Sequence, residues 1–250
     1  MARPVIRVFS DTHSLAAAAA EEVMRAGHEC VARGGRFDLV LSGGRTPRIA
    51  YGILARLMAD VLALWERTHL WWGDERLVPP DDPASNFYLA KRTLLDAIPA
   101  RPGGVHRIGA DSPDPERAAD DYAREFPAAP SVMLLGMGDD GHTASLFPRS
   151  PALDERVRLF VPSTAPVEPR GRITATPRVI ESAERRLVLV SGAAKADAMA
   201  RVFSESGSVQ ETPARLARGA TWFADRAAAE RVIGLATTES RISVDLEGIA

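Results

Sequence analysis

The densest chemistry in the chain lies between Ser131 and Pro148, in the stretch SVMLLGMGDDGHTASLFP. His142 follows two carboxylates, Asp139 and Asp140, across a single glycine. An imidazole changes charge near neutral pH, and a neighbouring carboxylate can fix its tautomer, so this group is equipped for proton transfer. The apolar run 132–135 predicts a buried strand, 136–141 a glycine-rich turn, and 142–145 the first turn of a helix. In an open α/β sheet, ligands bind at loops that follow the carboxyl ends of strands. Gly136, Gly138 and Gly141 also satisfy the dinucleotide pattern G-x-G-x-x-G. Two aspartates in that turn would oppose a pyrophosphate, which needs bare backbone N–H groups. A tight turn with a solvated histidine is the plain structural alternative.

Three more segments carry suitable groups. Ser42-Gly43-Gly44-Arg45-Thr46-Pro47 joins an apolar strand, 37–41, to a helical run reaching residue 58, with Pro47 suited to the first helical position. Its N–H groups, hydroxyls and helix dipole would make a phosphate cradle, although the P-loop spacing is absent; an ordinary capped turn is the alternative. Asp74-Glu75-Arg76 follows the strand 69–72 and sets acids and a cation at a strand end; a surface ion cluster would read the same way. Lys195 opens a helix after Ser191-Gly192, where a cation is unfavourable unless an anion joins it. Lysine is rare here: of 31 Lys plus Arg, only Lys91 and Lys195 are lysine. A solvated surface lysine is the competing reading.

The elements that must hold these groups alternate along the chain. Strands are expected at 5–10, 37–41, 69–72, 105–108, 132–135, 158–162, 187–190 and 232–236, with a short one at 242–244. Helices are expected at 15–33, from Pro47 to 58, at 87–98, 113–126 and 177–184, and from Lys195 to 203. This alternation predicts an α/β fold, an open and mostly parallel sheet with helices on both faces. Residues 1–250 are expected to form one domain, with 237–250 a loosely attached polar tail. A hydrophobic content of 46% suffices for a core. The net charge of −2 gives no electrostatic support for nucleic-acid binding. Cys30 is the only cysteine, so no intrachain disulfide or cysteine metal cluster is available. The opening residues carry no signal-peptide pattern, and no apolar run reaches the roughly 20 residues of a membrane span; a cytoplasmic protein is expected.

Taken in order, LSGGRTP, WWGDERLVPPDDPASNF, LLGMGDDGHTASLFP, and RIT followed by VSGAAKA resemble the 6-phosphogluconolactonase family, from about Val5 to Ala236. Its relatives, the glucosamine-6-phosphate deaminases and isomerases, share a Rossmann-like fold. The resemblance implies hydrolysis of 6-phospho-D-glucono-1,5-lactone in the pentose phosphate pathway, with no cofactor or metal and no partner beyond the small-molecule substrate. It implies that His142 is the general base, with Asp140 and Asp74 as companions that orient the imidazole and the substrate. Arg76 resembles a substrate-binding or charge-stabilising arginine. Ser42, Gly43, Gly44, Thr46, Arg172 and Lys195 resemble the set that holds the sugar phosphate. The deaminase branch uses an acid five residues after the histidine, and here that residue is Phe147. Ring opening would lose a proton carrier, which favours the lactonase. A deaminase or isomerase, and a sugar-phosphate sensor without turnover, are the rival readings. Oligomeric state does not follow from the sequence.

Overall fold

The computed structural model describes residues 4–236 and 243–247. Its strands are β1 (Val5–Phe9), β2 (Phe37–Leu41), β3 (Thr68–Trp72), β4 (Asp74–Arg76), β5 (Gly104–Val105), β6 (Val132–Leu135), β7 (Phe160–Thr164), β8 (Gly171–Ala175), β9 (Arg185–Val190), β10 (Thr221–Asp225) and β11 (Ser243–Leu246). Eight of them form one sheet in the order β11-β1-β10-β9-β6-β2-β3-β5. Its pairings are parallel throughout. The central strands β2 (FDLVL) and β6 (VMLL) are buried at every residue. A strand buried on alternate and intervening positions alike has both faces covered, which is the signature of a parallel sheet sandwiched by helices.

The helices are α1 (Thr12–Ala32), α2 (Arg45–Ala59), α3 (Leu62–Trp65), α4 (Asn86–Thr93), α5 (Pro115–Glu125), α6 (Pro177–Ser182), α7 (Ala196–Phe203) and α8 (Arg226–Ala236). Asp11 caps α1 by accepting from the Ser14 N–H at 2.8 Å. The helix buries Leu15, Ala16, Ala19, Ala20 and Val23, small side chains that bring it close to its neighbour α2. Helices α7 and α8 pack as a second pair. No helix among the described residues is long and apolar enough to cross a membrane.

A second sheet, antiparallel β4-β8-β7, branches from the end of β3. Gly73 sits at the branch: its N–H donates to Leu41 of the main sheet at 3.0 Å, and its carbonyl accepts from Ala175 of β8 at 2.7 Å. The strand ends reached by β3 therefore acquire a side wall.

Several expected elements move. Residues 232–236 form no strand but the end of α8, and the strand is β10 just before it. The β-branched pair Val232-Ile233 suggested a strand, yet the alanines 227–229 start a helix that runs through it. Residues 142–145 form no helical turn: Ala144 has φ of +48°, outside the right-handed helix, and Thr143 pairs instead with Leu146. Pro47 occupies the third position of α2, since Arg45 and Thr46 already belong to the helix. The expected strand 105–108 shortens to β5, and the helix 87–98 closes as α4 plus a 3₁₀ turn, Leu95–Ala97. At the far end β11 pairs with β1, and Arg7 bonds Glu247 at 2.8 Å; residues 237–242 and 248–250 of the expected tail lie outside the described residues.

Candidate active site

Four strands adjacent in the main sheet, β9-β6-β2-β3, end at one rim, and the segment after each of them enters a single cleft of about 300 Å³. From β2 come Ser42, Gly43, Gly44, Arg45 and Thr46. From β6 come Gly136, Gly138 and His142; from β9, Ser191 and Lys195; from beyond β3, Asp74, Arg76 and Asn86.

The segment after β2 is built to present its backbone. Tyr51, in the second turn of α2, reaches back and bonds both ways with Ser42: its hydroxyl donates to the Ser42 carbonyl at 2.6 Å and accepts the Ser42 N–H at 2.8 Å. Gly44 caps α2 with φ of +110°, a conformation that favours glycine. Thr46 shares a hydroxyl bond of 2.7 Å with Ser191, which joins the ends of β2 and β9. The result is a helix N-terminus whose free N–H groups and hydroxyls line the cleft, a ready anion site.

Lys195 stands opposite, in a 3₁₀ turn (Ala193–Lys195) that precedes α7. Its ammonium forms an ion pair with Asp139 of the loop after β6. The turn is shaped by Asp225 at the end of β10, whose carboxylate accepts the Gly192 N–H and also caps α8 through Ala228. Because β10 was not legible as a strand, Asp225 escaped sequence reasoning.

The loop after β6 folds back on itself. Gly138 N–H donates to the His142 carbonyl at 2.9 Å, and Gly141 N–H to the Gly138 carbonyl at 3.0 Å. A side chain at position 138 would overlap the His142 ring and the Asp140 carboxylate. His142 Nδ1 lies 2.6 Å from Asp140 Oδ1, which also accepts the His142 N–H at 3.0 Å. Burial of Asp140 opposes its charge, but these bonds from His142 outweigh it and hold the carboxyl below the usual carboxylate range. An ionised Asp140 accepts, so Nδ1 carries the proton and Nε2 is left with its lone pair. Phe147 packs on the ring, with centroids 4.7 Å apart.

Asp74 is buried and meets a different set. Its carboxylate accepts from Ser145 Oγ at 2.7 Å and from Asn86 Nδ2 at 3.3 Å. Its neighbour Glu75 points the other way and ties down the following loop, accepting from the N–H groups of Arg76, Asn86 and Phe87 and from Ser85 Oγ. Burial pushes the Glu75 carboxyl up, and the four donors pull it back only in part. The cluster is thus no surface feature: both acids are buried.

Nine of the ten expected site residues converge on this region, with Asp140 directly behind His142. The tenth, Arg172, does not line the cleft. It pairs in register with Arg76 across β4 and β8, and its guanidinium turns to the carbonyls of Pro169 and Gly171. Burial, and next the charge of Arg76, lower its pKa from the ordinary arginine value. Asn86, Ser191 and Arg45 line the cleft without having been expected there. Among the described residues, no group of three or more His, Cys, Asp or Glu is arranged to hold a metal ion.

Comparison with known proteins agrees with this fold. The family described as glucosamine-6-phosphate isomerases/6-phosphogluconolactonase matches residues 10–224. A 6-phosphogluconolactonase of Streptomyces coelicolor is 37% identical over 248 residues, covering 92% of this chain and 95% of its own. One from Mycobacterium tuberculosis is 36% identical over 245 residues, covering 91% and 98%. The solved 6-phosphogluconolactonase of Trypanosoma brucei superposes with a TM-score of 0.80 at 27% identity, over 93% of this chain and all of the other. A monomeric glucosamine-6-phosphate deaminase at 21% identity shares the fold, with a TM-score of 0.76. The four motif segments, the sheet order and these similarities agree, and the chain belongs to the glucosamine-6-phosphate isomerase/6-phosphogluconolactonase family.

Proposed function

We propose that the protein is a 6-phosphogluconolactonase, hydrolysing 6-phospho-D-glucono-1,5-lactone to 6-phospho-D-gluconate in the oxidative pentose phosphate pathway. The observation that carries this reading is the Asp140–His142 pair, 2.6 Å apart, opening on the same cleft as a helix N-terminus and a lysine.

The substrate phosphate carries about two negative charges near pH 7. It binds the N–H groups of Gly43, Gly44 and Thr46 and the hydroxyls of Ser42 and Thr46 at the start of α2, with Lys195 supplying charge. That remote grip holds the lactone carbonyl beside His142. His142 Nε2 takes a proton from water as the water oxygen bonds to C1. Asp140 keeps the proton on Nδ1 and favours the imidazolium that forms. A base positioned in this way contributes typically ~10²–10⁴ in rate. Arg76 offsets the charge developing on the carbonyl oxygen. The tetrahedral adduct then collapses: the C1–ring oxygen bond breaks, the imidazolium returns its proton to the ring oxygen, and the open acid leaves. Arg172 assists at one remove, through its position beside Arg76, and not by touching phosphate.

Phe147 favours this reading over the deaminase one. A ring packed on the imidazole cannot carry the proton that ring opening requires. The test is lactone hydrolysis followed against an enzyme-free control, since the lactone also opens spontaneously, together with ammonia release from glucosamine 6-phosphate. Acceleration of the first and none of the second is expected. Ammonia release, or binding of the phosphosugar without turnover, would overturn the assignment.

A further inference from the structure

We propose that Ser145 and Asn86 are positioning residues that hold the Asp74 carboxylate at the cleft wall, where it accepts a ring hydroxyl of the bound sugar lactone and so sets which ring the cleft takes. The inference rests on the reading of the cleft as a phosphosugar-lactone site.

Asp74 is available for this role because the imidazole has its own carboxylate. Asp140 meets His142, whereas Asp74 meets Ser145 and Asn86. Among the described residues, the hydrogen-bond partners of the Asp74 carboxylate are neutral donors. Asn86 Nδ2 can only donate, so it suits an ionised carboxylate. A carboxylate has about four lone-pair sites, and these two bonds occupy two of them. Asp74 lines the cleft, and the partner a fixed anionic acceptor takes from a sugar is a hydroxyl.

Both holders are themselves held. Ser145 is buried; its N–H donates to Thr174 Oγ1 at 3.0 Å, and its carbonyl accepts from Ser163 Oγ at 2.8 Å. It stands three residues after His142, so a single hydroxyl braces Asp74 against the loop that carries the base. Asn86 is buried as well. Its N–H donates to Glu75 Oε1 at 2.7 Å, and its Nδ2 also donates to the Asp74 carbonyl at 2.9 Å. Its amide lies against Gly43, where any side chain would overlap it. Asp74 is thereby bonded to Asn86, which packs against the loop proposed to grip the phosphate, and through Ser145 to the loop that carries His142. A ligand anchored by its phosphate meets an acceptor at a preset distance, the geometry that makes one hydroxyl count.

The experiment compares kcat/KM for the 6-phosphorylated gluconolactone with its 2-deoxy, 3-deoxy and 4-epimeric counterparts, in wild type, Ser145→Ala, Asn86→Ala and Asp74→Asn. Wild type is expected to reject at least one counterpart by about 10–10²-fold, the range for a hydrogen bond to a charged group. Asp74→Asn abolishes that ratio. Ser145→Ala and Asn86→Ala reduce it at least threefold, by slowing the parent substrate more than the counterpart, and Ser145→Thr restores part of it. Ser145→Ala removes one oxygen and keeps the test alive if Asn86→Ala does not fold. A uniform slowing of all four substrates by Ser145→Ala, or a wild-type ratio in that variant, would overturn the proposal. A wild-type ratio in Asp74→Asn would remove Asp74 as the reader of the hydroxyl. Failure of wild type to hydrolyse any of the lactones would remove the underlying functional reading instead.

Discussion

At the scale of single residues the site rests on one protonation pattern. With Asp140 ionised and Nδ1 protonated, only Nε2 of His142 can act as base, so His142→Ala should lower kcat by about 10²–10⁴ with the fold retained. Wild-type turnover in that variant would refute the assignment. Asp140→Asn should slow turnover less, because the base survives in a poorly fixed tautomer. The Asp140 carboxyl lies below its ordinary value in the fold, so its stabilising contribution is present above about pH 4 and is lost as pH falls through the lower folded value. Wild type and Asp140→Asn should therefore differ in unfolding temperature at neutral pH and converge in strong acid. Asp139 gives a third prediction. It pairs with Lys195 at the cleft, where it would compete with the proposed phosphate for the ammonium. Asp139 is largely exposed and the pair is worth at most about 1 kcal/mol, so Asp139→Asn should lower KM up to about fivefold, an effect that added salt reduces. His142 and Asp140 were legible because they are two residues apart. Ser145 as a partner of Asp74 was not, because it lies 71 residues away, in the loop after β6.

At the scale of elements the backbone does much of the positioning, and buried donors decide the outcome of substitutions. Glu75 accepts four hydrogen bonds that fold the 77–87 segment back over β4. Glu75→Gln would turn an amide NH₂ toward two of those donors. A buried donor without an acceptor costs about 1–3 kcal/mol, so a fall of several degrees in unfolding temperature is expected, measured by calorimetry. The strands 37–41 and 132–135, apolar but for Asp38, matched to the residue because burial on both faces leaves little room for ambiguity. Residues 221–225 (TWFAD) went unread, since a threonine and an aspartate bracket only three apolar residues, and the neighbouring helix mimicked a strand. The loop after His142 departed from its helical pattern because Ser145 and Thr143 spend their polar groups on Asp74 and Gly136 instead of on helix capping.

At the scale of the molecule, the sheet order brings β9, β6, β2 and β3 side by side and sends chain segments some 150 residues apart in sequence, Ser42 and Lys195 among them, to one rim. We propose that residues 1–250 unfold as one unit, because the antiparallel sheet shares its core with the main one; a single calorimetric transition is expected, and two separated transitions would contradict it. A chain ended at residue 236 should lose stability and gain a tendency to aggregate, since β11 covers the edge of β1. Local order in the sequence was sufficient for the strand–helix alternation and for the Asp140–His142 pair, because hydrophobic periodicity and side-chain reach act over a few residues. It could not decide that Arg172 turns from the cleft, that Asp225 shapes the lysine turn, or that Asn86 and Ser145 brace Asp74. The contacts of Asp225, Asn86 and Ser145 join segments carried by separate elements, and their distances exist only once the strand order has closed.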